Sequence, residues 1–144
     1  MFTPNQTGEQ RLQAWRELRQ RPDIVGAVDV VEQFSTVPLK PRYVDFYTPE
    51  SWPSVFEIVQ EGMFCYSGLC LVLASTLWYF KFTNQNNLRF DVISNHVTGD
   101  TGLVLIDQGN CYNFLPEEIV TEQHMTDNST FYDSHIIAPD KIFS

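Results

Sequence analysis

CYSGLCLVLASTLWYFKF (residues 65–82) is followed, after NQNN (84–87), by LRFDVISNHV (88–97), and the junction of these two stretches decides the fold class. From Met63 to Phe80 there is no charged side chain, and the run is bounded by Glu61 and Lys81. That length reaches the threshold at which a membrane span has to be weighed. Ser67, Gly68, Ser75 and Thr76 interrupt it, and nothing else in the chain looks membrane-bound, so the expectation is a helix buried on all sides of a globular core. The second stretch reads as a strand. Gly99-Asp100-Thr101-Gly102 supplies a hairpin turn and Leu103 to Ile106 the return strand. Asp107-Gln108-Gly109-Asn110 is a second turn, and Cys111 to Leu115 a third strand.

On the N-terminal side, Thr7-Gly8-Glu9-Gln10 has the spacing of a capping box and predicts a helix through about Gln20, closed by Pro22. Leu12, Trp15 and Leu18 give it a narrow apolar stripe, with Arg11, Arg16 and Arg19 around it. Residues 24–34 fit helix or strand, with helix favoured. Pro38, Pro41 and Pro49 keep residues 35–50 extended or irregular. Pro53 and Gly62 frame a short helix at 53–61. Beyond the meander, Pro116-Glu117-Glu118 is expected to open a short helix, and from Thr126 onward the chain is polar with scattered aromatic residues. The expected architecture is α+β: N-terminal helices and a buried central helix packed on a small antiparallel sheet, in one domain over residues 1–144.

Composition narrows the function classes. The chain is 43% apolar with 11 Phe, 6 Tyr and 3 Trp, enough for a sizeable core. Residues 1–42 carry 6 of the 9 basic and 5 of the 18 acidic side chains, a net of +1; residues 43–144 carry 3 and 13, a net of −10. An acidic body repels phosphate, so no nucleic-acid partner is expected, and no membrane association. A protein partner or a homo-oligomer is, with Arg11, Arg16 or Arg19 set against acidic side chains of the neighbour. Three cysteines, Cys65, Cys70 and Cys111, with no secretory signal, fit a cytoplasmic setting or a viral particle in an infected cell. His124, Asp127, Asp133, His135 and Asp140 fit no ligand spacing, so no metal and no cofactor is expected.

One constellation could carry chemistry. A thiol hydrolase needs a cysteine whose thiolate is favoured, a histidine to move protons and an acceptor to orient it. Cys65 follows Gly62-Met63-Phe64 where the central helix should begin, and a helix N-terminus favours a thiolate. Cys70, after Ser67-Gly68-Leu69, is the alternative nucleophile. The two stand about 140° apart around a helix, so they cannot share a cleft. With a two-residue turn at Asp100-Thr101, His96 falls opposite Leu105, and Asp107 lies diagonal to it on the same face, about 7–8 Å away at the backbone. A three-residue turn would put them on opposite faces.

Trp52-Pro53-Ser54-Val55-Phe56-Glu57 leading to Gly62-Met63-Phe64-Cys65, then Asn95-His96-Val97, then Leu105-Ile106-Asp107, resembles the transglutaminase-like, papain-like cysteine peptidases of bacteria and phages over residues 52–119. The resemblance implies Cys65 as nucleophile, His96 as base and Asp107 as orienter. It implies acyl transfer or hydrolysis at an amide through a thioester, with the nucleophile's own N–H as oxyanion donor. The alternative is a non-catalytic acidic interaction protein, such as a small viral assembly component or an inhibitor, to which the charge asymmetry and aromatic richness point.

Overall fold

The computed structural model describes residues 2–3, 5–40, 44–62 and 64–143. Met63, of the sequence leading to Cys65, and Pro41, of the proline-rich stretch, lie outside the described residues. Helix α1 (Gly8–Arg19) opens on the expected capping box: Thr7 Oγ1 accepts the Gln10 N–H at 3.2 Å, and Gln10 Oε1 accepts the Thr7 N–H at 2.8 Å. Helix α2 (Ala27–Phe34) settles the ambiguity of residues 24–34, burying Val30, Val31 and Phe34. A single 3-10 turn, Pro49–Ser51, precedes α3 (Val55–Glu61). That helix starts two residues after Pro53, because the Ser54 hydroxyl accepts the Glu57 N–H and so defines the cap. It stops at Gly62 in the left-handed conformation, φ 69°.

Helix α4 (Tyr66–Tyr79) is the expected central helix, with every residue from Ser67 to Leu77 buried. It ends short of Phe82, where Lys81 turns left-handed. The sheet follows: β1 (Leu88–Asn95), β2 (Thr101–Asp107), β3 (Asn110–Phe114) and β4 (Glu118–Thr121), then helix α5 (Glu122–Asp127), strand β5 (Ser129–Ile137) and the short helix α6 (Pro139–Phe143). The five strands run in the order β4-β3-β2-β1-β5, all pairings antiparallel. The architecture is α+β. No helix among the described residues is long and apolar enough to cross a membrane.

Two departures from expectation have local causes. Pro116-Glu117-Glu118 opens no helix; β4 begins at Glu118 and pairs with β3, Ile119 opposite Tyr112. The helix comes four residues later, where the Thr121 hydroxyl caps the His124 N–H. The polar stretch after Thr126 contains the nine-residue edge strand β5, whose partners along β1 run from Leu88 with Ile137 to Asn95 with Ser129.

Side chains alternate across the sheet, so it has two apolar faces. Leu88, Phe90, Val92, Leu103, Leu105 and Tyr112 join α4 and the N-terminal helices in the main core. Ile93, Val104, Ile106, Cys111 and Phe114 form a second cluster with Met125 of α5 on the opposite face. Among the described residues, the six-residue helix α5 packs on that second face through Met125.

Helix α1 is held by more than a three-residue stripe. Trp15 is fully buried, its Nε1–H donating to Thr76 Oγ1 of α4 at 3.0 Å. Arg11 is not turned outward: its guanidinium donates to Gln6 O at 2.6 Å, and to Val59 O at 2.8 Å and Gln60 O, two carbonyls at the end of α3. A Cβ on Gly62 would stand 2.6 Å from that guanidinium, so any larger residue would push Arg11 aside, and the left-handed φ of 69° itself favours glycine. Arg19 lies over the Trp15 ring at 4.2 Å and near Tyr79 at 5.3 Å. Phe2 stacks on Phe64 at 5.0 Å, tying down the residues before α1. The expectation that a neighbouring chain must hold α1 through Arg11, Arg16 or Arg19 therefore loses its premise, because Arg11 and Arg19 are engaged within the chain.

Candidate functional site

Cys65 is the N-cap of α4. Its Sγ accepts the Gly68 N–H at 3.2 Å, and the residue is 6% exposed. The thiol thus takes the place a serine oxygen occupies at other helix starts. Cys70, the alternative nucleophile, is wholly buried on α4; burial first, and then nearby Cys111, push its thiol well up. Burial, with Asp91 and Glu122 adding to it, does the same to Cys111. Neither of these thiols is a thiolate at neutral pH.

The hairpin register separates the two other candidates. Ser94 pairs with Thr101 and Arg89 with Ile106, so Leu105 faces Phe90 and not His96. The cause is Asn95. Its Oδ1 accepts the N–H groups of Val97 at 2.8 Å and Thr98 at 3.3 Å, while Asn95 N–H donates to Asp100 O at 2.8 Å and Gly99 N–H to Asn95 O at 2.8 Å. These bonds build a wider loop than a two-residue turn at Asp100-Thr101. Asp107 consequently lies at the Leu88 end of β1, about 26 Å from His96 at ~3.3 Å per strand residue. Its Oδ1 accepts the Asn84 N–H at 3.0 Å, fixing the loop after α4. His96 is exposed, its Nε2 2.7 Å from Thr130 Oγ1 at the start of β5. The assignment of Asp107 as orienter of His96 is corrected by this register, and no hydrogen bond joins Cys65, His96 and Asp107 to one another.

What meets at the start of α4 is a polar network on residues that the sequence did not single out. Tyr66 Oη donates to Asn113 O at 2.7 Å and accepts from Leu115 N–H at 3.5 Å. Asn113 Nδ2 donates to Tyr66 O and to Leu103 O, each at 3.1 Å. Asn95 Nδ2 donates to Leu115 O at 2.8 Å, and Ser67 Oγ accepts the Leu103 N–H at 3.2 Å. A Cβ on Gly102 would stand 2.7 Å from the Tyr66 ring, so glycine is what lets α4 approach β2 this closely. The available signal was a pair of asparagines, Asn95 and Asn113, at strand positions that are buried in the fold. The network spends its donors and acceptors inside the chain and ties α4 to three strands.

Burial pushes the Tyr66 phenol up to about 12, the Asn95 side chain and the Leu115 backbone working weakly the other way. A tyrosine held neutral in the fold but ionising near 10 when unfolded contributes stability in full below about pH 10. That contribution is lost as pH rises from about 10 to 12, a loss of about 2–3 kcal/mol at 1.36 kcal/mol per unit. Urea midpoints at about pH 9 and about pH 11.5 should therefore fall more for the wild type than for Tyr66→Phe. Equal falls would show that Tyr66 does not titrate in this environment.

On the opposite face, Asp91 is 1% exposed and takes both a 3.0 Å bond from Arg89 Nε and a 2.9 Å bond from Arg89 Nη2. Ser134 Oγ of β5 adds a third at 2.7 Å, and Arg89 reaches Glu122 of α5 at 3.6 Å. A buried carboxylate with this many donors is a fastening between β1, β5 and α5. Among the described residues, no three His, Cys, Asp or Glu side chains converge as a metal site would require. No protein-family model matches the chain, and no curated protein is significantly similar to it.

Proposed function

We propose that this chain is a non-catalytic acidic interaction protein. The observation that carries this is the β1–β2 register, which puts Asp107 at the far end of β1 from His96. Burial of the Cys65 thiol as a helix cap supports it further. So does the exposure of apolar side chains on the edge strand: Phe131, Tyr132 and Ile136 stand in solvent while the sheet interior is filled. The three unpaired, buried thiols suit a reducing compartment.

Thiol chemistry tests the proposal. Iodoacetamide at about pH 6 should label Cys65 slowly in the folded protein, at a rate set by opening of the fold. Cys65→Ser should keep stability within about 0.5 kcal/mol, since serine is the better cap, and Cys65→Ala should cost about 1 kcal/mol. Fast labelling of Cys65 in the native state, or amide hydrolysis abolished by Cys65→Ala and by His96→Ala, would return the hydrolase in place of the interaction protein.

A further inference from the structure

We infer that the free edge of β5 is the docking surface, and that its occupant is an extended, basic segment of a partner protein that adds to the sheet as a sixth strand. The inference rests on the interaction role proposed above. β5 is an outer strand of the sheet, and its orientation follows from two bonds. Asn95 N–H points to Asp100 across the hairpin, and His96 N–H points to Asn128, just before β5. Main-chain groups alternate along a strand, so Leu88, Phe90, Val92 and Ser94 turn theirs toward β5. Their partners Ile137, His135, Asp133 and Thr130 turn theirs inward to meet them. Ser134 and Ile136 are left with their N–H and C=O directed away from the sheet.

One of those groups is already occupied: Ser134 N–H donates to Asp133 Oδ1 at 2.8 Å. Carboxylates at an edge are a common guard against indiscriminate strand pairing. Ser134 C=O and both groups of Ile136 remain for a partner strand. Beside them runs a groove of about 800 Å³, walled by Tyr47, Pro49, Trp52 and Glu50 on one side and by residues 134–138, Lys141 and Ile142 on the other. The wall is fixed in place: His135 Nε2 donates to Phe46 O at 2.7 Å, Trp52 Nε1 donates to Asp45 O at 2.7 Å, and the Trp52 and His135 rings meet edge to face at 5.6 Å. An unpaired strand edge beside a rigid, aromatic-walled groove is the arrangement by which proteins bind extended peptides.

Charge selects the occupant. Glu50 and Lys141 both line the groove, and Asp133 stands 3.7 Å from the groove residue His135, in a chain of net −9. A second copy of the same chain would bring the same negative charge to this edge, whereas a basic segment is attracted. The two faces of such a strand meet different surroundings. Alternate side chains on the groove side reach Glu50 and Asp133, with Tyr47 and Trp52 covering the stems of Lys or Arg. Those on the other face lie against Ile136 and Phe131, 70% and 58% exposed. An alternation of basic and apolar residues is the matching pattern.

The probe is a capped, alternating Lys-Val peptide about seven residues long, a common strand length, titrated into the isotope-labelled full chain, with a Glu-Val peptide as control. The Ile136 amide is expected to move most and to gain protection from hydrogen exchange. Ile136→Pro removes only an outward N–H, which an edge strand tolerates, and should weaken binding at least tenfold. Ile136→Val, which keeps the N–H, should bind as the wild type does. Affinity should fall as salt rises. The inference is overturned by no binding of the Lys-Val peptide, by equal binding of the Glu-Val peptide, by equal affinity of Ile136→Pro, or by shifts centred away from β5. A concentration-dependent dimer dissolved by Ile136→Pro also overturns it, making a second copy the occupant. Amide hydrolysis dependent on Cys65 would instead defeat the interaction role itself, whatever the peptide does.

Discussion

Trp15→Ala is expected to lower the unfolding free energy by about 3–5 kcal/mol, the range for removing a buried large aromatic side chain. Trp15 has no exposed surface and lies between α1, α3 and α4, edge-on to Phe56 at 5.4 Å. Its removal opens a cavity that three helices cannot close without moving, and it leaves Arg19 without the ring under its guanidinium. The indole N–H carries a separable part of the effect. Thr76 Oγ1 accepts from it at 3.0 Å while donating to Val72 O at 2.7 Å, so loss of the donor strands one buried lone pair. Trp15→Phe keeps most of the volume and should cost about 1–2 kcal/mol. In Thr76→Val the same Trp15→Phe change should cost less, because the indole N–H there already lacks its acceptor; the difference between the two costs is the coupling energy of the hydrogen bond. Urea midpoints of the four proteins provide it. A Trp15→Ala cost below about 1 kcal/mol would mean that α1 is peripheral to the folding unit.

That outcome bears on what was legible in the sequence. The start of α1 was legible because a capping box is a local event, completed within four residues. The burial of α4 was legible because a charge-free run of that length has few other places to go. The grip on α1 was not: Arg11 reaches Val59 and Gln60, 48 and 49 residues away, and on a helix wheel it resembles any solvated arginine. The hairpin was legible as a hairpin, but its register depended on which of two competing turns closed it. Asn95 captured the Val97 and Thr98 amides, and that one side chain moved every pairing along β1 and β2. The site readings failed at the same point, since His96 and Asp107 could face one another only in the tighter register. β5 escaped notice because an edge strand with Phe131 and Ile136 in solvent lacks the apolar-in, polar-out alternation that marks a half-buried one.

Asn113→Ala is the second large effect, expected at about 3 kcal/mol. Asn113 sits within β3 at φ 74°, 3% exposed, where the pairing with β4 shifts register between Tyr112 and Phe114. The left-handed conformation costs an alanine roughly 1 kcal/mol that asparagine tolerates better. Two further contributions of about 1 kcal/mol each come from the lost bonds to Tyr66 O and Leu103 O. Asn113→Gly separates these causes, because glycine accepts the backbone angle while losing both bonds; it should cost about 2 kcal/mol. Asn113→Asp keeps the shape but turns a donor into a carboxylate facing two carbonyl oxygens, so it should be the worst of the three at neutral pH. Protonation of that carboxylate restores one donor, and the Asp variant should accordingly gain stability relative to wild type as pH falls. Chemical denaturation of the three variants checks the order Gly, Ala, Asp. If Gly proves as damaging as Ala, backbone strain contributes nothing at this position; if all three stay within about 0.5 kcal/mol of wild type, the network around Tyr66 does not fasten α4 to the sheet.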